Sequence, residues 1–230
     1  MPGEAMHHKG ADGARRAKAW LDATTRTRAT WTNEDAVAAG RLTFNWPYAG
    51  QNEFSYDVGG ILFGEPFDNH AFVAEVKNYS GDGLGADFDD FLAKCYLVAR
   101  DHPKLANQFM FITWHPFRVK TWTQLTDRSS VLDGCTTPKN RMRLLDIDDH
   151  AELAATTAQK VAAGATAKAA ALAAEEEASA AAQTDLDQDV VDRLCGNLWL
   201  FVLSEKQEQL LISHDDRALI VQERVRRGIV

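Results

Sequence analysis

The sequence predicts an α/β domain built on a mixed central sheet and followed by an all-helical C-terminal extension. Three observations carry that expectation. The hydrophobic period changes along residues 12–147 from 3.6 to 2, back to 3.6 and again to 2, which gives the order helix, three strands, helix, strand (αβββαβ). From Ala151 to Ala182, 17 of 32 residues are alanine, the strongest helix former. And 230 residues that are 45% hydrophobic and 25% charged suffice for one globular domain with a sizeable core, which excludes wholesale disorder.

The first helix runs from Ala14 to Ala23, started by Asp12, with Ala14, Ala17 and Leu21 on one side and Arg15, Arg16 and Lys18 elsewhere. In Arg41 to Tyr48, Leu42, Phe44 and Trp46 alternate with Thr43 and Asn45, which reads as the first strand; Phe54 to Phe63 reads as the second. After a turn at Gly64 to His70, Ala71 to Tyr79 is the third, with Phe72, Ala74 and Val76 on one face and Val73, Glu75 and Lys77 on the other. Gly81, Gly83 and Gly85 lead into a helix from Ala86 to Arg100, whose stripe is Phe88, Phe91, Leu92, Cys95 and Ala99. His102 and Pro103 end it. Gln108 to Trp114 is a buried fourth strand and Arg143 to Ile147 a short fifth. Beyond the alanine-rich stretch, Asp189 to Leu203 suits a helix, although Leu198 to Leu203 alone reads equally as a buried strand. Ser204 and Gln207 have capping-box spacing, and Ala218 to Arg227 forms a last helix.

The net charge of −8 is unevenly spread. Residues 1–30 hold six Lys/Arg against three Asp/Glu, residues 100–143 hold eight against three, and residues 144–192 hold eleven acids against Lys160 and Lys168. The acidity therefore belongs mainly to one segment, and nucleic acid stays open as a partner of the rest. Arg118, Lys120 and Arg128, then Arg15, Arg16 and Lys18, are the candidate phosphate contacts. The alanine-rich helix is either a solvated spacer or a face for a partner or second copy. Cys95, Cys135 and Cys195 fit neither a disulfide framework nor a zinc site and are expected as reduced packing residues. No membrane span or secretory leader is visible, so the expected location is the cytoplasm.

On the third strand Glu75 and Lys77 leave the same face, two residues apart, among apolar neighbours. A hairpin bending at Gly64 to His70 brings Asp57 opposite Glu75. Two carboxylates so placed suit a hard divalent cation that keeps waters and takes phosphate oxygens, and a lysine beside them can orient water and offset developing charge. Those residue types suit phosphodiester hydrolysis.

With these residues in place the chain resembles the PD-(D/E)xK phosphodiesterase superfamily, the restriction-endonuclease-like fold. Asp57 matches its metal-binding Asp, and Glu75, Val76 and Lys77 match its (D/E)xK element. The helix from Ala86 lies where the crossover helix would be, and Leu144 to Leu153, with Asp146, Ile147, Asp148 and Asp149, is similar to a segment of Mrr-like restriction enzymes. The resemblance covers roughly residues 12–155. It implies a nuclease-like domain at 1–148 and says nothing of the tail, which composition and periodicity divide into an alanine-rich helix or spacer at 149–183 and a helical region at 184–230. It further implies Mg²⁺ or Mn²⁺ as cofactor, DNA as partner, and a role in restriction or anti-phage defence, with catalysis by Asp57, Glu75 and Lys77 and metal held by the two acids. The alternative is a catalytically silent subunit of the same fold that binds nucleic acid or a protein, and a homodimer or protein partner through the C-terminal region is a further expectation.

One departure is plain. The first helix carries no Glu to complete the metal shell, so Glu53, or less readily Glu34, is the candidate substitute. His115, after the fourth strand, reads as a loop residue that caps or packs, and His7 and His8 lack a third ligand in a loose N-terminus. Trp20, Trp31, Trp46 and Trp114 read as core, while Trp122, between Lys120 and Arg128, is a candidate base contact.

Overall fold

The computed structural model describes residues 2–48, 50, 52–79, 81, 83–147, 150–211 and 214–228, with side chains described for all of these except 2–9, 150–152, 214 and 215. In chain order come α1 (Pro2–Thr24), β1 (Thr27–Thr32), α2 (Ala36–Leu42), β2 (Thr43–Asn45), β3 (Glu53–Ser55), β4 (Val58–Leu62) and β5 (Ala71–Lys77). Then follow α3 (Leu84–Asp101), β6 (Gln108–Thr113), a 3₁₀ turn (Val119–Gln124), α4 (Arg128–Cys135), α5 (Pro138–Leu145), α6 (His150–Ala162) and α7 (Ala167–Asp185). The chain continues through α8 (Gln188–Cys195), β7 (Leu198–Val202), α9 (Glu205–Glu208) and α10 (His214–Arg226).

The strands make a mixed five-stranded sheet in the order β1-β4-β5-β6-β7 and a separate β2–β3 hairpin. β1 and β5 run antiparallel to β4, whereas β6 and β7 run parallel to β5. A parallel neighbour needs a crossover, and α3 supplies it: its stripe of Phe88, Phe91, Leu92 and Cys95 is fully buried against Phe109 and Phe111 of β6. On the opposite face, Ala14, Ala17 and Leu21 of α1 pack on Val58, Phe72, Ala74 and Val76. Small side chains on α1 let the helix lie close, and a Cβ at Gly13 would stand 3.1 Å from the Asn78 Cβ.

Several sequence expectations change. The first strand of the main sheet is Thr27–Thr32, whose mostly polar side chains hide it from a periodicity search, since a sheet edge needs few apolar residues. The expected strand at Arg41 to Tyr48 contributes the end of α2 and the three residues of β2. The expected strand at Phe54 to Phe63 breaks into β3 and β4, which belong to different sheets, and Asp57 stands at the break. Arg143 to Ile147 is no strand: Pro138 at the first turn starts α5, and Asp146, in the left-handed region at φ 60, ends it. Asp148 and Asp149 lie outside the described residues. The N-terminus is helical from Pro2 rather than loose, although His7 and His8 fall among the undescribed side chains.

The alanine-rich stretch is not one helix. Gly164, at φ 97, separates α6 from α7, and the Thr166 hydroxyl caps α7 by accepting from the Ala169 N–H. Nor is it a solvated spacer, because Ala170, Ala174 and Ala182 are buried. Fully buried Arg141 of α5 donates to Glu175 of α7 at 2.7 Å, fixing the helix to the body. The C-terminal region is not all helical either: Leu198–Val202 is the sheet's fifth strand, and α8 before it buries Val190, Val191 and Leu194. Among the described residues no helix is long and apolar enough to cross a membrane.

Candidate active site

Asp57 is held by its backbone before its side chain matters. Its N–H donates to the Ala74 carbonyl (3.0 Å), and its own carbonyl accepts from the Asn33 N–H (3.0 Å), so the residue is stitched between its neighbouring strands. The carboxylate then accepts the Val76 N–H at 2.7 Å through Oδ2 and, more weakly, the Asn33 Nδ2–H at 3.4 Å through Oδ1. Val76 is the residue between Glu75 and Lys77, so this bond sets Asp57 against both. The predicted meeting of Asp57, Glu75 and Lys77 is thus present.

Glu75 is 6% exposed and holds one ammonium group on each oxygen: Lys77 Nζ at 2.9 Å from Oε1 and Lys94 Nζ at 2.9 Å from Oε2. Lys77 also lies 3.9 Å from Asp87 at the start of α3, and Asp87 accepts a hydrogen bond from the Tyr79 hydroxyl. Lys94 is seated under the β2–β3 hairpin, with the rings of Phe54 and Tyr56 5.7 and 5.9 Å from its Nζ. Cations on aromatic faces are favourable even when partly dehydrated.

These contacts set the protonation of the pair. Burial, then repulsion from Glu75, pushes the Asp57 carboxyl up to about 7, against the pull of the Val76 N–H and the two lysines. Burial pushes Glu75 upward too, but Lys94 and Lys77 outweigh it and hold Glu75 below its ordinary value. Lys77 is raised because Glu75, Asp87 and Asp57 outweigh its own burial. Glu75 is thus the carboxylate held ionised, and Asp57 the one whose ionisation burial and the charge of Glu75 oppose.

Carboxylates are the donors that a hard divalent ion takes, but here both oxygens of Glu75 meet ammonium groups and Oδ2 of Asp57 accepts the Val76 N–H. Among the described residues no cluster of three or more His, Cys, Asp or Glu side chains is placed to hold a metal. Glu53 does not complete one: it is exposed at the outer end of the hairpin, opposite Asn45, in a separate sheet from Glu75. Glu34 is engaged with Arg15 at 3.5 Å. A metal here would draw its remaining ligands from water and substrate.

The candidate phosphate contacts are mostly committed to carboxylates. Arg118 grips Asp89 through two bonds of 2.9 and 2.6 Å, Arg128 pairs with Asp192, Arg16 with Glu208, Lys18 with Asp22 and Arg15 with Glu34. Lys120 is exposed and makes no ion pair among the described residues. Trp122 is half-buried edge-on against Phe117, a packing residue rather than a free platform. His115 is half-buried, its N–H donating to the Thr113 hydroxyl. All three cysteines are free, with Cys95 and Cys135 buried.

Sequence reasoning missed Lys94 and Asn33. Lys94 had a signal: it interrupts an apolar sector of α3 at helical spacing between Phe91 and Val98. Asn33 had none, because its strand neighbour β1 was itself unread. No family model, curated protein or solved structure matches this chain.

Proposed function

We propose that the chain is a metal-dependent nuclease of the PD-(D/E)xK type, hydrolysing phosphodiester bonds in DNA. The observation that supports this best is the bond from the Val76 N–H to Asp57, which sets the Asp that precedes β4 against the Glu and Lys of β5. Asp57 and Glu75 would hold Mg²⁺ or Mn²⁺, which when bound supplies Lewis acidity toward a phosphoryl oxygen and an activated water. Lys77 keeps its charge beside Glu75 and serves the attacking water and the charge that builds on the phosphate. Lys94 holds the other oxygen of Glu75 and so limits how the carboxylate can turn. DNA as substrate, and a role in defence against foreign DNA, rest on the resemblance in Asp57 and Glu75–Lys77. The basic side chains add little, since a phosphate must compete with their carboxylates.

One observation favours the second reading, a silent nuclease-like subunit that binds nucleic acid or protein. Both oxygens of Glu75 already carry ammonium groups, so the site reaches near charge balance without a metal. Incubating plasmid, linear and single-stranded DNA and RNA with the protein in Mg²⁺, Mn²⁺ or EDTA separates the two. Metal-dependent cleavage lost in Glu75→Ala supports the enzyme; metal binding absent from calorimetry together with no cleavage supports the silent subunit.

A further inference from the structure

The two edges of the main sheet differ in kind. β1 is protected: its side chains are mainly polar, it carries Arg28, and its register slips between Thr27 and Ala29. Bulges and charges of this sort stop an edge from recruiting another strand. β7, at the other edge, has none of them. It reads Leu198, Trp199, Leu200, Phe201, Val202, without a charge, proline or irregularity, and four of the five residues are only half-buried.

The direction of its unused backbone groups follows from the ladder. The Phe109 N–H donates to the Asn197 carbonyl, and the Leu203 N–H donates to the Thr113 carbonyl. In a parallel pair alternate residues face the same neighbour, so Trp199 and Phe201 also turn their backbone groups toward β6. Leu198, Leu200 and Val202 turn theirs outward, and no described element pairs with them.

We infer that β7 is the interface for a second copy of this chain, paired antiparallel with its own counterpart about a two-fold axis at Leu200. The pattern is self-complementary. With Leu200 opposite Leu200, Leu198 falls opposite Val202, and every outward residue meets an outward residue, giving about six new backbone hydrogen bonds. A foreign strand could match one register; a copy of β7 matches this one by symmetry. A mainly apolar groove of about 400 Å³ runs over the sheet face from Leu62 to Trp199 and Phe201 of β7, so the side chains flanking the edge are themselves open to a partner.

The register also relates the two sites. Glu75 lies opposite Phe111, and Phe111 opposite Leu200, so each Glu75 sits level with the axis. In the ten-stranded sheet the two Glu75 residues would be five strand spacings apart, about 24 Å, on the same face. That spacing concerns cleavage only if the proposed function holds; the pairing itself does not depend on it.

Light scattering and sedimentation of the full chain in EDTA test the pairing without any reference to activity. A mass of two chains that falls to one on dilution is expected. Leu200→Pro removes only an outward N–H and should raise the dissociation constant at least tenfold, whereas the β6–β7 ladder survives. Amide exchange needs no variant: in the dimer the Leu198, Leu200 and Val202 amides should be protected and lose protection on dilution, while Trp199 and Phe201 stay protected throughout. A monomer at all concentrations overturns the inference. So does a dimer in which those three amides exchange freely, or one that dissociates when α10 is removed but not when Leu200 is changed.

Discussion

Replacing Asp57 by Asn should make the metal-free protein more stable while abolishing cleavage. The Asp57 carboxyl is raised from 3.8 to about 7 by burial and by Glu75. Between those values the native state holds a proton that the unfolded state has released, so stability falls as pH rises through the window and the full penalty stands above it. Three pH units correspond to about 4 kcal/mol at about 1.36 kcal/mol per unit. Partial solvent access at half-buried Asp57 screens some of this, and the 2.7 Å bond from the Val76 N–H is stronger to a carboxylate than to the amide oxygen that replaces it. A net gain of about 2 kcal/mol at pH 8 is expected, or about 4–8 °C in Tm for a chain of this size. Thermal or urea melts in EDTA at pH 8 and pH 4 are the assay, with the gain present at the first and nearly gone at the second. Mg²⁺ should then stabilise the wild type and leave Asp57→Asn unmoved. An Asp57→Asn protein that is no more stable than wild type at pH 8 in EDTA would refute the charge argument, whatever its activity.

Other expectations follow from single contacts. Lys77→Ala should lower the cleavage rate by about 100-fold or more with metal affinity kept, whereas Glu75→Ala should lose both, as calorimetry with Mn²⁺ beside a plasmid assay would show. Arg141→Ala unpins α7 and leaves the buried Thr136 carbonyl without that donor, costing about 1–3 kcal/mol in urea melts; no measurable loss would mean that α7 is held by its alanines alone. Gly60→Ala places a Cβ 2.4 Å from the Ala29 carbonyl oxygen and 2.4 Å from the Phe72 ring, so β1 must shift, and a wild-type Tm would contradict that packing. If DNA is bound, Lys120→Ala should reduce the slope of log affinity against log salt by about 1, and Arg118→Ala by less, because Asp89 already neutralises it.

What the sequence disclosed was whatever combined strong period with burial. β5, α3 and β6 are apolar on the faces they bury, and they appear within two residues of where the pattern placed them. β1 escaped because an edge strand of threonines and arginine has no apolar rhythm, and the arrangement of β2 and β3 escaped because Phe44, Trp46, Phe54 and Tyr56 pack on α3 as a side hairpin with the same alternation a main strand would show. β7 was ambiguous for a related reason: five apolar residues in a row fit a buried helix turn or a strand, and only pairing with β6 decides. Asp57, Glu75 and Lys77 stood out in the sequence because charge among apolar neighbours is locally anomalous, and the structure brings them together. Lys94 carried a weaker signal, a charge between Phe91 and Val98 in the apolar sector of α3, and only the fold shows it aimed at Glu75.

The side hairpin is more than packing, because both acids of the site are tied to it by different routes. Asp57 follows Tyr56 directly, and the Tyr56 N–H is bonded to the Leu42 carbonyl at 3.0 Å. Glu75 is reached through Lys94, which lies against Phe54 and Tyr56 and touches the Ser55 carbonyl at 3.4 Å. The hairpin thus touches the site twice, through the peptide link to Asp57 and through the ammonium group of Lys94, while bonds to Ala74, Val76 and Asn33 keep Asp57 on the main sheet. Loss of the hairpin's packing would therefore reach both acids, Asp57 through its peptide link to Tyr56 and Glu75 through Lys94.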